Sequence, residues 1–258
     1  NPVLSWAARL IHHAPVGDFH CGMRGLRREA LVRLGLSTPG MEFATEMIVN
    51  AVQAGLRIRE VPTTLVKDGR DRPPHLRSFR DGWRHLRFIL LYAPDLLYFL
   101  PGGAMFLLGL IMVALLARGP MEVGGHYLGV HFLALGGVLL LVGFNVVTFG
   151  VLARVIGRCF LTARASRVVG LATHRYTLEA GLSVGGLLVL AGFAVDARLL
   201  SIWLGSPGIS MEGSVHPGFV ATLVIVLGIN LICASFLLAM LGAEVGEVRQ
   251  RQRGLPES

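Results

Sequence analysis

The sequence predicts an α/β region followed by an all-α membrane region of four transmembrane helices. Three observations predict it. The 258 residues are 53% hydrophobic and only 16% charged, more apolar than a soluble domain, in which apolar content sits at about 45–50%. A densely charged stretch ending near Arg87 gives way to long apolar runs. Ahead of that stretch, helical and alternating patterns follow one another, as in a mixed fold.

Taken in order, Val3, Leu4, Ala7, Ala8, Leu10 and Ile11 recur at helical spacing. Residues 14–25 are punctuated by glycine and read as a loop or a short strand pair. The run LRREALVRLGL is a short amphipathic helix. In the next helix Phe43, Met47, Ile48, Ala51 and Val52 form one stripe. Gly55 fits the position where a left-handed residue ends such a helix. The run LRIREVPTTLV sets Leu56, Ile58 and Val61 against Arg57, Arg59 and Glu60, and reads as a strand with Pro62 near an edge. These elements, residues 1–75, are too few to bury a complete core alone.

From Leu76 to Ala93, the residues Leu76, Phe79, Trp83, Leu86 and Ile89 or Leu90 recur at three- and four-residue steps. Arg77, Arg80, Arg84 and Arg87 fall largely on the other side. That is the pattern of a helix lying among lipid headgroups, with a solvated amphipathic helix as the alternative. It accounts for residues 76–95.

Crossing a bilayer takes about 20 apolar residues. Four stretches qualify, at 96–117, 129–153, 178–195 and 218–242. The third is short and can extend through DARLLSIWLG as an interfacial segment. Together they make a membrane domain over 96–243, followed by a basic tail at 244–258. Gly181 and Gly185, and the glycines of the second span, permit close helix packing. Arg154, Arg158, Arg164, Arg167 and Arg175 crowd the middle connection, and Arg249, Arg251 and Arg253 the tail, whereas the other two connections hold only Arg118 and Arg198. Positive charge gathers on the cytoplasmic side. The polar region, the middle connection and the C-terminus are therefore expected in the cytoplasm, with the spans in an inner, cytoplasmic membrane.

The net charge is +8, carried by arginine apart from Lys67. With spans present, anionic lipid or phosphorylated substrates are the expected partners. Nucleic acid is not, since no aromatic residues interleave with a basic soluble face. Cys21, Cys159 and Cys233 are scattered and imply neither a disulfide framework nor a zinc site. His12, His13, His20 and His75 match no metal-ligand spacing.

Three motifs in the polar region carry chemistry. They are Asp18-Phe19-His20-Cys21-Gly22-Met23-Arg24, then Glu46 with Ile58-Arg59-Glu60-Val61-Pro62, then the basic loop Gly69-Arg70-Asp71-Arg72. In this order, ahead of an amphipathic helix and spans, they resemble family 2 glycosyltransferases of the polyprenol-phosphate type, such as the dolichyl-phosphate mannose and glucose synthases. Cys21 stands where that family usually has serine.

The resemblance implies the C-terminal, acceptor-side part of a GT-A domain. It implies an inverting transfer of sugar from a nucleotide-sugar donor to a polyprenyl phosphate acceptor, at the cytoplasmic face of a lipid bilayer. It also implies a divalent cation, magnesium or manganese, held by carboxylates of a nucleotide-binding half that does not appear in this sequence. The chain is accordingly expected to be a fragment, inactive alone. The acceptor phosphate is already ionised at neutral pH, so positioning and electrostatics should dominate. Arginine suits both tasks through its planar fork.

On this basis Arg24 is assigned to the acceptor phosphate, and Arg70 and Arg72 to the donor diphosphate, with surface ion pairing or solvation as the alternatives. Asp18 would orient acceptor, sugar or metal, or else cap a turn. Glu46 lies where processive relatives carry an acidic base, or else is a carboxylate favoured at a helix start. His20 could donate a hydrogen bond to phosphate. No metal ligand is assigned. A chain of the same architecture could instead be a non-catalytic membrane scaffold or a partner of a lipid-linked-sugar flippase. The missing Gln-x-x-Arg-Trp motif argues against a processive polymerase.

Overall fold

The computed structural model describes residues 2–12, 14–19, 21–36, 38, 40, 42–64, 78–91, 93, 95–160, 175–205 and 212–253. The described residues up to Leu97 form one compact unit, and Tyr98–Ile156 with the described residues from Arg175 onward form most of a second.

The first unit contains helices α1 (Pro2–His12), α2 (Arg28–Leu34), α3 (Phe43–Gln53) and α4 (Ser78–Leu91). Its core gathers Ala8 from α1, Ala14, Val16 and Phe19 from the following loop, Ile48 and Val49 from α3, and Ile89 from α4. A smaller cluster of Leu34, Met47 and Ala51 joins α2 to α3. There Asn50, 2% exposed, donates from Nδ2 to the Leu34 carbonyl at 3.0 Å.

Gly55 ends α3 as expected. It has φ of 69°, a left-handed conformation that glycine adopts without Cβ strain. The Gly55 amide donates to Val52 at 3.0 Å and the Leu56 amide to Ala51 at 2.9 Å. This is a complete Schellman pair, and Leu56 closes over the Ala51 cluster.

Two expectations fail in this unit. Residues 56–64 form no strand, and among the described residues the first unit has no sheet. The α/β character read from the sequence is therefore not found there. Alternation alone makes a segment half-buried; a strand also needs a neighbouring strand to take its backbone hydrogen bonds. The alternation itself survives as burial, with Leu56 and Ile58 half-buried and Arg57 and Arg59 exposed. Val61, expected inward, is 77% exposed.

The second failure concerns α4. Among the described side chains, Trp83 does not oppose Arg84 and Arg87. It is 58% exposed, and Arg84 and Arg87 are exposed with it. Residues four apart share a helix face, so Trp83 and Arg87 stand together. The buried row is His85 at 3% and Ile89 at 0% exposure.

Four spans follow, Asp95–Leu116, Val130–Ile156, Leu178–Gly205 and Val215–Glu244, with mean hydropathies of 2.3, 2.3, 1.9 and 2.6, all in the second unit from Tyr98 onward. The chain is a multi-pass membrane protein. The spans are carried by helices α5 (Leu100–Leu116), α6 (Val130–Phe160), α7 (Arg175–Gly205) and α8 (Val215–Arg253), α5 being preceded by a π-helical turn at Asp95–Phe99. The third span is longer than its apolar run, because DARLLSIWLG continues the helix.

Glycines set the helix spacing. A Cβ on Gly109 of α5 would lie 2.6 Å from the Gly136 carbonyl of α6, and one on Gly143 would lie 2.7 Å from Phe106 Cα. Between α7 and α8, a Cβ on Gly185 would meet the Gly228 carbonyl at 2.8 Å, and one on Gly192 the Ala221 carbonyl at 2.8 Å. Backbone cannot move aside as a side chain can, so these are the close approaches that small residues allow. Arg154 of α6 lies over the Phe99 ring, 4.3 Å from its centroid, a cation–π contact.

Between α5 and α6 a hairpin pairs β1 (Met121–Val123) with β2 (His126–Leu128). Its two-residue turn is Gly124-Gly125, with φ of 59° and 79°, the positive angles a type I′ turn demands. Met121 and Leu128 pack on Val113, Leu116 and Leu133.

Candidate functional site

The first motif is a loop fastened at several points. Phe19 is fully buried in the core of the first unit, and its amide donates to the buried Ser5 hydroxyl at 3.3 Å. Val16 is 5% exposed. Between these two anchors, Gly17 and Asp18 are exposed. Their amides both donate to Glu60 Oε1, at 2.8 Å and 3.3 Å.

Arg24 closes the loop from the other end. Its Nε donates to the Cys21 carbonyl at 2.9 Å and its Nη2 to the Phe19 carbonyl at 2.7 Å. Its Nη1 donates to the Ala44 carbonyl in the first turn of α3. One guanidinium thus ties the motif to itself and to α3. Burial pushes the Arg24 pKa below its ordinary value, while Cys21 and Asp18 push it the other way. Burial disfavours a charge unless hydrogen bonds replace its water, and three carbonyls do so here.

Glu46 is 1% exposed. Its Oε2 accepts the Thr38 amide at 3.0 Å and the Thr38 hydroxyl. Next to it Thr45, 0% exposed, contacts Nδ1 of His85 on α4 at 3.2 Å. Polar contacts thus tie α3 to Thr38 through Glu46 and to α4 through Thr45.

The structure therefore brings Asp18 and Arg24 together in one loop and seats Glu46 inside α3. His20, Arg70 and Arg72 lie outside the described residues, as does the basic loop that carries the two arginines. The sequence motifs assign no role to the Glu60 carboxylate, Ser5, Thr38 or His85. No signal in the alternation marks Glu60, which the sequence groups with Arg57 and Arg59 and which is exposed like them. Among the described residues no three His, Cys, Asp or Glu side chains come together to hold a metal ion. They do not form the site of the divalent cation that the resemblance implies, and the chemistry derived from them passes through none.

Comparison with known proteins bears on both the spans and the polar region. Residues 151–242 match the glycosyltransferase family 2 C-terminal transmembrane region. The chain thus carries the membrane region of a family 2 glycosyltransferase. It is also 36% identical over 249 residues to the low-salt glycan biosynthesis hexosyltransferase Agl6 of Haloferax volcanii, an alignment covering 94% of this chain and 57% of that protein. The chain spans little more than half the length of that relative. No solved structure matches it.

Proposed function

We propose that the protein transfers a sugar, a hexose by analogy with its relative, from a nucleotide sugar to a polyprenyl phosphate at the cytoplasmic face of the membrane. The observation that carries this reading is the identity with a hexosyltransferase across 94% of the chain. It includes the motif loop as well as the spans.

The chemistry asked of these residues is modest. An acceptor phosphate oxygen attacks the anomeric carbon. The bond from that carbon to the nucleoside diphosphate breaks, and the diphosphate leaves with the bonding pair. The acceptor is already an anion, so it must be held rather than deprotonated.

In this reading Asp18, exposed at the tip of the tied loop, orients acceptor or sugar. Arg24 has five N–H donors and commits three to carbonyls, so it shapes the acceptor site and offers charge there. Arg70 and Arg72 neutralise the leaving diphosphate, His20 donates to phosphate, and Glu46 supports the site from within α3. The outward face of α4, with Trp83, Arg84 and Arg87 exposed together, suits an interface where aromatic rings enter the acyl boundary and arginines meet phosphates.

The test supplies the full-length protein in membranes with a panel of radiolabelled nucleotide sugars. Label should enter a lipid that mild acid releases. Label in no lipid fraction, with polyprenyl phosphate still bound, would favour the non-catalytic scaffold instead.

A further inference from the structure

The geometry assigns Glu60 the role of a positioning residue for Asp18, an inference that rests on the transferase reading for its consequence but not for its contacts. Glu60 lies 42 residues along the chain from Asp18. One oxygen of its carboxylate nevertheless accepts two successive amides of the motif loop, Gly17 at 2.8 Å and Asp18 at 3.3 Å. Two neighbouring N–H groups converging on one anion form a nest, and here the protein's own side chain fills it.

The approach is built in from the core outward. Ile58 packs on the cores of the first unit, Gly55 and Leu56 fix the chain direction after α3, and Glu60 follows two residues after Ile58, exposed and against the motif loop. On the loop, Val16 and Phe19 are buried on either side of the exposed pair Gly17-Asp18. Without Glu60 both amides would lose this shared acceptor. With it, the backbone that bears the Asp18 carboxylate is held in place. A Cβ on Gly17 would stand 3.4 Å from Glu60 Oε2, so the carboxylate lies directly against the loop.

Four variants of the full-length protein in membranes or detergent test this: Glu60→Ala, Glu60→Gln, Asp18→Ala and the double variant Glu60→Ala with Asp18→Ala. The first readout is amide hydrogen exchange at Gly17 and Asp18. Glutamine keeps an acceptor oxygen and alanine does not. Exchange should therefore quicken about tenfold or more in Glu60→Ala and stay within about threefold of the parent in Glu60→Gln. Unchanged exchange in Glu60→Ala would overturn the contact.

The second readout is sugar transfer. Glu60→Ala should lower kcat more than it raises KM, with Glu60→Gln restoring most of the loss. Adding Glu60→Ala to Asp18→Ala should cost no more than about threefold beyond Asp18→Ala alone, the mark of two residues acting as a unit. Additive losses, a harmless Asp18→Ala, or a Glu60→Gln as poor as Glu60→Ala with exchange still protected would each overturn the positioning role. A parent protein that transfers no sugar would sink the transferase reading, and exchange alone would then decide whether Glu60 holds the loop.

Discussion

Replacing Arg24 by lysine should be nearly as damaging as replacing it by alanine, although lysine keeps the charge. The guanidinium reaches the carbonyls of Cys21, Phe19 and Ala44 with three different nitrogens. An ammonium offers one nitrogen at the end of a flexible stem and cannot span all three. Hydrogen bonds to charged groups contribute about 1.5–3 kcal/mol each. Three would give an upper bound near 5–9 kcal/mol, but the site is half-buried and the freed carbonyls can partly rehydrate, so about 2–4 kcal/mol is expected for the loop. At 1.4 kcal/mol per decade, local opening rises by about 30-fold or more. Limited proteolysis of the loop under native conditions measures this directly, since cleavage of a transiently open segment tracks its population. Arg24→Lys should be cut almost as fast as Arg24→Ala, and both much faster than the parent. If Arg24→Lys resists proteolysis like the parent and loses only affinity for phosphate acceptors, the clamp reasoning is wrong and Arg24 acts as a simple charge.

Other changes separate the remaining assignments. Ile89→Ala, at a fully buried position, should cost about 2–5 kcal/mol in denaturant unfolding of the first unit, and Trp83→Ala, on the exposed face, within about 0.5; the reverse order would restore the sequence-based orientation of α4. Glu46→Ala should destabilise by about 1–3 kcal/mol because the partly buried Thr38 donors lose their acceptor, with Glu46→Gln milder by the same measurement. Gly109→Leu or Gly143→Leu should prevent α5 and α6 from closing, read as loss of monodisperse protein in detergent, whereas Gly103→Leu, which meets nothing within 4 Å, should be tolerated.

Local features of the fold are legible in the sequence. Helices α1 and α3, the glycine stop at Gly55 and the four apolar runs each depend on neighbours a few residues away, and each forms. Features that depend on distant partners are not legible in the same way. The segment at 56–64 has the alternation of a strand but no adjacent strand to make it one. The face of α4 differs from its expected orientation because apolar spacing does not say which apolar residues meet the protein core. In the site, motif order picks out Asp18, Arg24 and Glu46, but not that Arg24 bonds to carbonyls or that Glu46 is sealed in by Thr38. Those partners are backbone groups and a hydroxyl, which leave no pattern in a string of letters.

The influence of Gly55 extends well past the helix it ends. Its φ of 69° decides the heading of everything that leaves α3. A side chain there would meet the steric cost of about 1 kcal/mol that left-handed residues carry, and relief by any other angle would swing Ile58 off the core and Glu60 away from the motif loop. The bearing of the Asp18 carboxylate thus depends on a residue with no side chain at all, and under the proposed function variation at that glycine should surface as a fault in sugar transfer rather than as a loss of helix.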